Sequence, residues 1–247
     1  MSGAGNGRPS ALDGRTGLAV LVDPGRCRPD VAEELARRAA GEGAALLLLG
    51  NSFGEAPCAD VARALRRGAG DAVPVVQFPA TASQLVADVD AVLLLSLVSG
   101  RNPQYLIEEH VRAVPFFTRH RDVECISTAY VLVDGGRVTS VEAVSQTRPL
   151  PADKPELVTA HVRAAALIGM RATYLEAGSG AGRPVAPELV AAARLATSGP
   201  LLVGGGVRDV HGVRAARAAG ADFVVVGTLF ERESARAVRD LAMAARA

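Results

Sequence analysis

Eight short apolar runs recur along the chain, each followed by a longer stretch in which apolar residues return every three or four positions. The runs are LAVLVD (18–23), AALLLLG (44–50), VPVVQF (73–78), AVLLLS (91–96), ISTAYVLVD (126–134), ATYLE (172–176), PLLVGG (200–205) and DFVVVG (222–227). Their continuous apolar character is that of strands covered on both faces. The intervening segments read as helices over 30–43, 59–70, 102–114, 154–169, 187–196, 209–220 and 231–247. In the first of them Val31, Leu35 and Ala39 share one face. Several end in glycine, the usual stop signal. Residues 80–90 leave room for a helical turn or two. DGGRVTSVEAV (134–144) reads as a β-hairpin with a Gly-Gly turn, inserted after the fifth strand.

Strand and helix alternating eight times predicts an α/β fold, a (βα)8 TIM barrel, as one domain over residues 17–247. A doubly wound open sheet is the rival, but its glycine-rich phosphate loop would follow the first strand. That position holds VDPGR, and the glycine triplet comes after the seventh run. Residues 1–16 are rich in Gly, Ser and Arg without an apolar core. They read as a disordered tail and not as a signal peptide.

Composition narrows the function classes. With 49% hydrophobic and 21% charged residues the chain can bury a large core. A net charge of +1 gives no bulk attraction to nucleic acid or anionic membrane. An anionic ligand must therefore be held by local groups. No apolar run reaches the ~18 residues of a membrane span, so no stable membrane insertion is expected. Cys27, Cys58 and Cys125 show no metal spacing and read as reduced thiols of a cytoplasmic protein.

In such barrels the chemistry sits at the C-terminal strand ends. Gly204, Gly205 and Gly206 end the seventh strand, and Gly227 with Thr228 ends the eighth. Backbone amides there, with the start of a following helix, bind phosphate. Asp23 and Ser52 end the first and second strands. One carboxylate and one hydroxyl suffice for Mg²⁺ when phosphates supply the other ligands. Equally, Asp23 reads as a cap for the turn before the first helix. Glu176 ends the sixth strand next to Tyr174. It reads as a base for a hydroxyl on a phosphorylated ligand, or as an acid paired with an arginine. His110, His120, His161 and His211 fall in helices or a loop, away from strand ends.

YLEAGSGA (174–181), LLVGGGVR (201–208), VVVGTLFE (224–231) and SLVSGRNPQYLI (96–107) resemble motifs of the geranylgeranylglyceryl phosphate synthase family, which includes the PcrB proteins. The segment 126–156 is also similar, and the likeness covers nearly everything after residue 17. It is nearer to the larger subgroup, found in archaea and some bacteria, than to the short PcrB enzymes. The resemblance implies a Mg²⁺-dependent transfer from a prenyl diphosphate to sn-glycerol 1-phosphate, forming an ether. It places the metal on Asp23 and Ser52. It places the glycerol phosphate on Tyr174, Leu175, Glu176, Ala177, Gly178, Ser179 and Gly180, on Gly204 to Gly206, and on Gly227 and Thr228. Glu176 then receives the hydroxyl proton. The apolar tail is expected past the loops following strands two to four.

Two departures stand on the diphosphate and acceptor side. The family's Asp-Pro-Asp-Lys is here Asp23-Pro24-Gly25-Arg26, and its Gly-Gly-Ser is Gly50-Asn51-Ser52. An alternative acceptor is 3-phosphoglycerate, used with a farnesyl-type donor in phosphoglycolipid antibiotic synthesis. Its extra carboxylate would call for an arginine such as Arg26 or Arg28. Helix faces rich in Ala and Val allow a homo-oligomer.

Overall fold

The computed structural model describes residues 9–51, 56–227 and 235–246. Eight parallel strands close into a barrel in chain order: β1 (Gly17–Val22), β2 (Leu46–Leu49), β3 (Val75–Gln77), β4 (Ala91–Leu97), β5 (Glu124–Leu132), β6 (Ala172–Glu176), β7 (Leu201–Gly204) and β8 (Phe223–Val226). Pairing of Gly17 with Phe223 and Val20 with Val226 joins β8 back to β1. The rival open sheet is excluded by that closure.

Period-two alternation divides each strand between two apolar layers. On β1, Leu18, Val20 and Val22 face the helices, while Ala19 and Leu21 belong to the interior of the barrel. Across the barrel Tyr174 and Phe223 fill the same interior. Runs apolar on both faces are thus explained by burial on both faces.

The outer layer carries α1 (Pro29–Gly41), α2 (Cys58–Ala69), α3 (Glu109–Arg119), α4 (Ser140–Ser145), α5 (Pro155–Leu167), α6 (Pro187–Ala196), α7 (Val210–Ala218) and α8 (Ala235–Arg246). Prolines at the first turns of α1, α5 and α6 occupy positions where no amide partner is lost. No helix among the described residues is long and apolar enough to cross a membrane.

Three expectations need correction. The predicted hairpin over 134–144 is a loop followed by α4, with one bridge from Val133 to Leu150. Gly135 serves close packing instead of a hairpin turn. A Cβ there would lie 2.5 Å from the Ala177 carbonyl and 2.7 Å from Ala181 Cβ. The segment therefore lies against the loop that follows β6, and the Gly135 carbonyl accepts from Arg183 N at 3.1 Å.

The tail predicted over 1–16 is too long. Residues 11–14 form a turn, and Leu12, 3% exposed, joins the barrel interior. One leucine in a polar stretch has no periodicity to announce it. Residues 1–8 lie outside the described residues.

The helix expected over 102–114 begins as a π-helical turn, Gln104–Glu108, and continues as α3 to Arg119. The wider turn brings Leu106 O to the Ser96 hydroxyl, which donates to it at 2.8 Å. Pro115 lies inside α3. Residues 80–90 hold a single 3₁₀ turn, Ala82–Gln84, as the short segment implied.

Candidate active site

The same alternation that buries Ala19 and Leu21 carries Asp23 to the C-terminal mouth of the barrel. On β6 it does the same for Tyr174 and Glu176. A polar cavity of about 390 Å³ opens there. Its β6–β8 sector presents Glu176, Ser179, Gly180, Gly205, Gly206 and Gly227; its β1–β2 sector presents Asp23, Arg26, Gly50 and Asn51. Eight of the residues singled out in the sequence thus line one space: Asp23, Tyr174, Glu176, Ser179, Gly180, Gly205, Gly206 and Gly227.

Others of that set do not reach it with side chains. Leu175 and Ala177 point into the layer between strands and helices. Gly178 contributes its amide to Glu176, and Gly204 lies against the Tyr174 ring. Ser52 and Thr228 fall outside the described residues.

Glu176 is 6% exposed, and its Oε1 accepts from Gly178 N at 2.5 Å. Burial pushes its carboxyl up to about 7; the Gly178 amide and the Tyr174 hydroxyl partly oppose that rise. Tyr174 Oη itself makes no hydrogen bond of standard geometry, so its effect on the carboxylate is that of a nearby dipole. Burial and the Glu176 charge raise both Tyr130 and Tyr174 well above the ordinary tyrosine range, so both stay protonated. Among the described residues no arginine pairs with Glu176, which removes the ion-pair reading. A carboxyl poised near neutrality in a cleft suits proton transfer.

Gly205 and Gly206 adopt φ of +85° and +72°, conformations that favour glycine. At Gly205 a Cβ would lie 2.5 Å from Glu176 Oε1 and 2.7 Å from Gly178 N. The bare backbone of Gly205 is therefore what leaves room for the carboxylate. The start of α7 lies just beyond the residues that line the cavity. Asp209 caps it, accepting from Gly212 N at 2.8 Å. Arg208 was missed in the sequence reading. It lines the cavity beside these glycines and donates from Nη2 to Ala181 O at 3.0 Å. Its signal was its place two residues beyond the glycine triplet.

Asp23 Oδ1 accepts from Gly25 N at 2.8 Å, and Arg26 Nε stands 3.5 Å from Oδ2. The carboxylate shapes the turn, although it does not cap α1, whose cap residue is Arg28. Arg28 instead pairs with Asp30 at the surface. Among the described residues no group of three His, Cys, Asp or Glu side chains could hold a metal. One carboxylate beside a polar cavity fits a hard cation shared with substrate oxygens, and does not fit a metal held by protein alone.

A second, apolar cavity of about 80 Å³ adjoins the first. Leu85, Leu94, Leu95, Tyr105, Ala113 and Val144 are among its walls, drawn from the β3–β4 connection, β4, α3 and α4. Asn51, Phe78, Tyr130 and Val141 line both cavities. At this junction Phe78 stacks on Tyr174 with centroids 4.8 Å apart, and Tyr130 meets each of them, at 5.8 and 5.5 Å. His110, on a helix as the sequence implied, is half-buried on the apolar cavity wall. Its Nε2 donates to the Leu95 carbonyl at 2.7 Å.

A closed barrel with a buried carboxyl, glycine strand ends and an adjoining apolar cavity has the make-up of a (βα)8-barrel enzyme. The PcrB family model matches residues 15–245, and the chain belongs to that family. It is 39% identical over 223 residues to the geranylgeranylglyceryl phosphate synthase of Flavobacterium johnsoniae, covering 90% of each chain. With the enzyme of that name from Korarchaeum cryptofilum it shares 37% over 231 residues, covering 92% of this chain and 93% of the other. Among solved structures it superposes on (S)-3-O-geranylgeranylglyceryl phosphate synthase from Thermoplasma acidophilum in complex with sn-glycerol-1-phosphate. That match has a TM-score of 0.83 and 25% identity, covering 95% of this chain and 94% of the other. The protein is accordingly a prenyltransferase of the geranylgeranylglyceryl phosphate synthase family.

Proposed function

We propose that the protein transfers a geranylgeranyl-type group from its diphosphate to a hydroxyl of sn-glycerol 1-phosphate, with Mg²⁺ as cofactor. The observation that carries this is a buried carboxyl, Glu176, in a polar cavity that opens onto an apolar one.

The glycerol phosphate sits in the β6–β8 sector, its phosphate on the Ser179–Gly180, Gly205–Gly206 and Gly227 loops, with Arg208 adding a cation. The diphosphate lies toward Asp23, and its tail enters the apolar cavity beneath Tyr105 and Leu95. Asp23, together with Ser52, would hold Mg²⁺; when bound, the ion neutralises the diphosphate and so eases its departure. The C1–O bond breaks with its electron pair going to the diphosphate. The glycerol hydroxyl oxygen bonds to C1, and its proton passes to Glu176. Gly178 N occupies Oε1, so Oε2 is the oxygen that receives the proton. The Phe78, Tyr130 and Tyr174 rings border the point where positive charge develops on C1, and their faces favour it. Holding both anions in register supplies much of the acceleration.

The test is to incubate the purified protein with Mg²⁺ and radiolabelled geranylgeranyl diphosphate, offering sn-glycerol 1-phosphate and 3-phosphoglycerate in parallel. An ether formed with glycerol 1-phosphate and not with 3-phosphoglycerate is expected. The reverse result would move the protein to the alternative acceptor, with Arg26 as the next residue to change. No ether with either acceptor, shorter prenyl donors included, would overturn the proposal.

Arg208→Ala should raise KM for glycerol phosphate by about tenfold, the low end for a hydrogen bond to a charged group because Arg208 is exposed. KM for the prenyl donor should stay within twofold. An equal rise in both would place Arg208 elsewhere than at the acceptor phosphate.

A further inference from the structure

Among the described residues Asn51 is the one side-chain amide shared by the polar and apolar cavities. Its orientation follows from a chain of hydrogen bonds that starts at the backbone. Ala80 N can only donate, and it donates to Gln84 Oε1 at 2.8 Å. That turns Gln84 Nε2 outward, where it donates to Asn51 Oδ1 at 2.8 Å. Asn51 must then present Nδ2 on its opposite side. This donor faces the Asp23 turn: a Cβ built on Gly25 would lie 3.8 Å from Asn51 Nδ2 and 3.2 Å from Asp23 Oδ1.

Gln84 is itself anchored. Gln77, 1% exposed, donates from Nε2 to the Gln84 carbonyl at 2.6 Å and accepts from Val86 N through Oε1 at 3.1 Å. A buried glutamine on β3 thus fixes the 3₁₀ turn, and the turn fixes the amide at the cavity junction. With Oδ1 turned to Gln84, Asn51 presents an N–H donor toward the cavity, which suits an anion.

We propose that Asn51 is a substrate-positioning residue whose Nδ2 donates to the leaving diphosphate where the polar cavity meets the apolar one, with Gln84 holding it in that orientation. The inference rests on the prenyl-transfer reading above for its ligand. It differs from that reading in assigning the donor's anion to one amide on the β2 end. The bond is charge-assisted, and so stronger than one between neutral partners.

The experiment titrates inorganic pyrophosphate, with Mg²⁺ present, into wild type, Asn51→Ala, Asn51→Asp, Asn51→Ser and Gln84→Ala by calorimetry. Melting temperatures and both KM values are measured alongside. Asn51→Ala should weaken pyrophosphate about tenfold. Asn51→Asp should weaken it further, because it keeps the shape and replaces the donor with a negative charge. Asn51→Ser, which retains a donor, should recover part of the loss. Gln84→Ala should shift binding in the same direction by a smaller factor. KM for glycerol 1-phosphate should stay within twofold throughout.

Unchanged pyrophosphate affinity in Asn51→Ala would overturn the proposal. So would equal weakening of donor and acceptor, or losses that track melting temperature alone. Weakened pyrophosphate binding in a protein that transfers no prenyl group would keep the Asn51 assignment and sink the reaction. A wild type that binds no pyrophosphate would sink both.

Discussion

Glu176→Gln should lower kcat by roughly 10²–10⁴-fold while making the fold more stable at pH 8. Both effects come from one carboxyl. In the barrel it titrates at about 7, against an ordinary glutamate value of 4.5. The unfolded chain therefore loses this proton first as pH rises. Between the two values the folded state binds more protons than the unfolded one, so stability falls with increasing pH. Above pH 7 the buried charge costs its full amount, about 3 kcal/mol from the size of the shift. Glutamine keeps the shape and the bond from Gly178 N without the charge. Denaturant midpoints of wild type and variant should coincide near pH 4 and diverge by pH 8, the variant being the more stable. Activity runs the opposite way, since only the ionised carboxylate accepts a proton. Wild-type kcat/KM should rise tenfold per pH unit below about 7 and level off above it. A variant that keeps its turnover, or is less stable than wild type at pH 8, would remove Glu176 from the proton-accepting role.

The second large effect is expected at Gly205, which no charge or polar group would single out. Gly205→Ala places a methyl 2.5 Å from Glu176 Oε1, 2.7 Å from Gly178 N and 2.9 Å from Ala177 N. None of these is the tip of a flexible surface chain that can swing clear. The carboxylate must leave Gly178 N, and the left-handed φ of +85° adds backbone strain of about 1 kcal/mol. Displacing the base by a fraction of an ångström to an ångström should cost on the order of 10²-fold in kcat. Loss of the Gly178 bond also removes a group that favours the ionised form. The acidic limb of the pH profile should therefore move above that of wild type. Measuring the limb distinguishes this from simple unfolding, which lowers the amount of active enzyme and leaves the limb in place. An unshifted limb with normal kcat would mean that the loop after β7 yields without disturbing Glu176.

Much of this architecture is legible along the chain because burial on two faces writes itself as uninterrupted apolar runs. LLLL in β2 and FVVV in β8 need no partner to be recognised, and eight repeats of strand and helix leave few ways to close. Period-two alternation likewise carries Asp23 and Glu176 to the mouth once their strands are placed. What failed along the chain failed where a partner decides. Gly135-Gly136 looks like a hairpin turn until Ala177 and Ala181 are seen against Gly135. Leu12 looks like part of a tail until the barrel interior is there to receive it. The π-turn at 104–108 has the composition of an ordinary helix start, and Ser96 is the group that bonds its Leu106 carbonyl. At the site, residue types announced an acid and glycines at the strand ends. They could not announce that burial lifts Glu176 toward neutrality, nor that Asn51 faces the Asp23 turn with its amide nitrogen. Both depend on atoms brought together from distant parts of the chain. A local pattern records which face of an element is apolar; desolvation and hydrogen-bond orientation exist only after the faces have met.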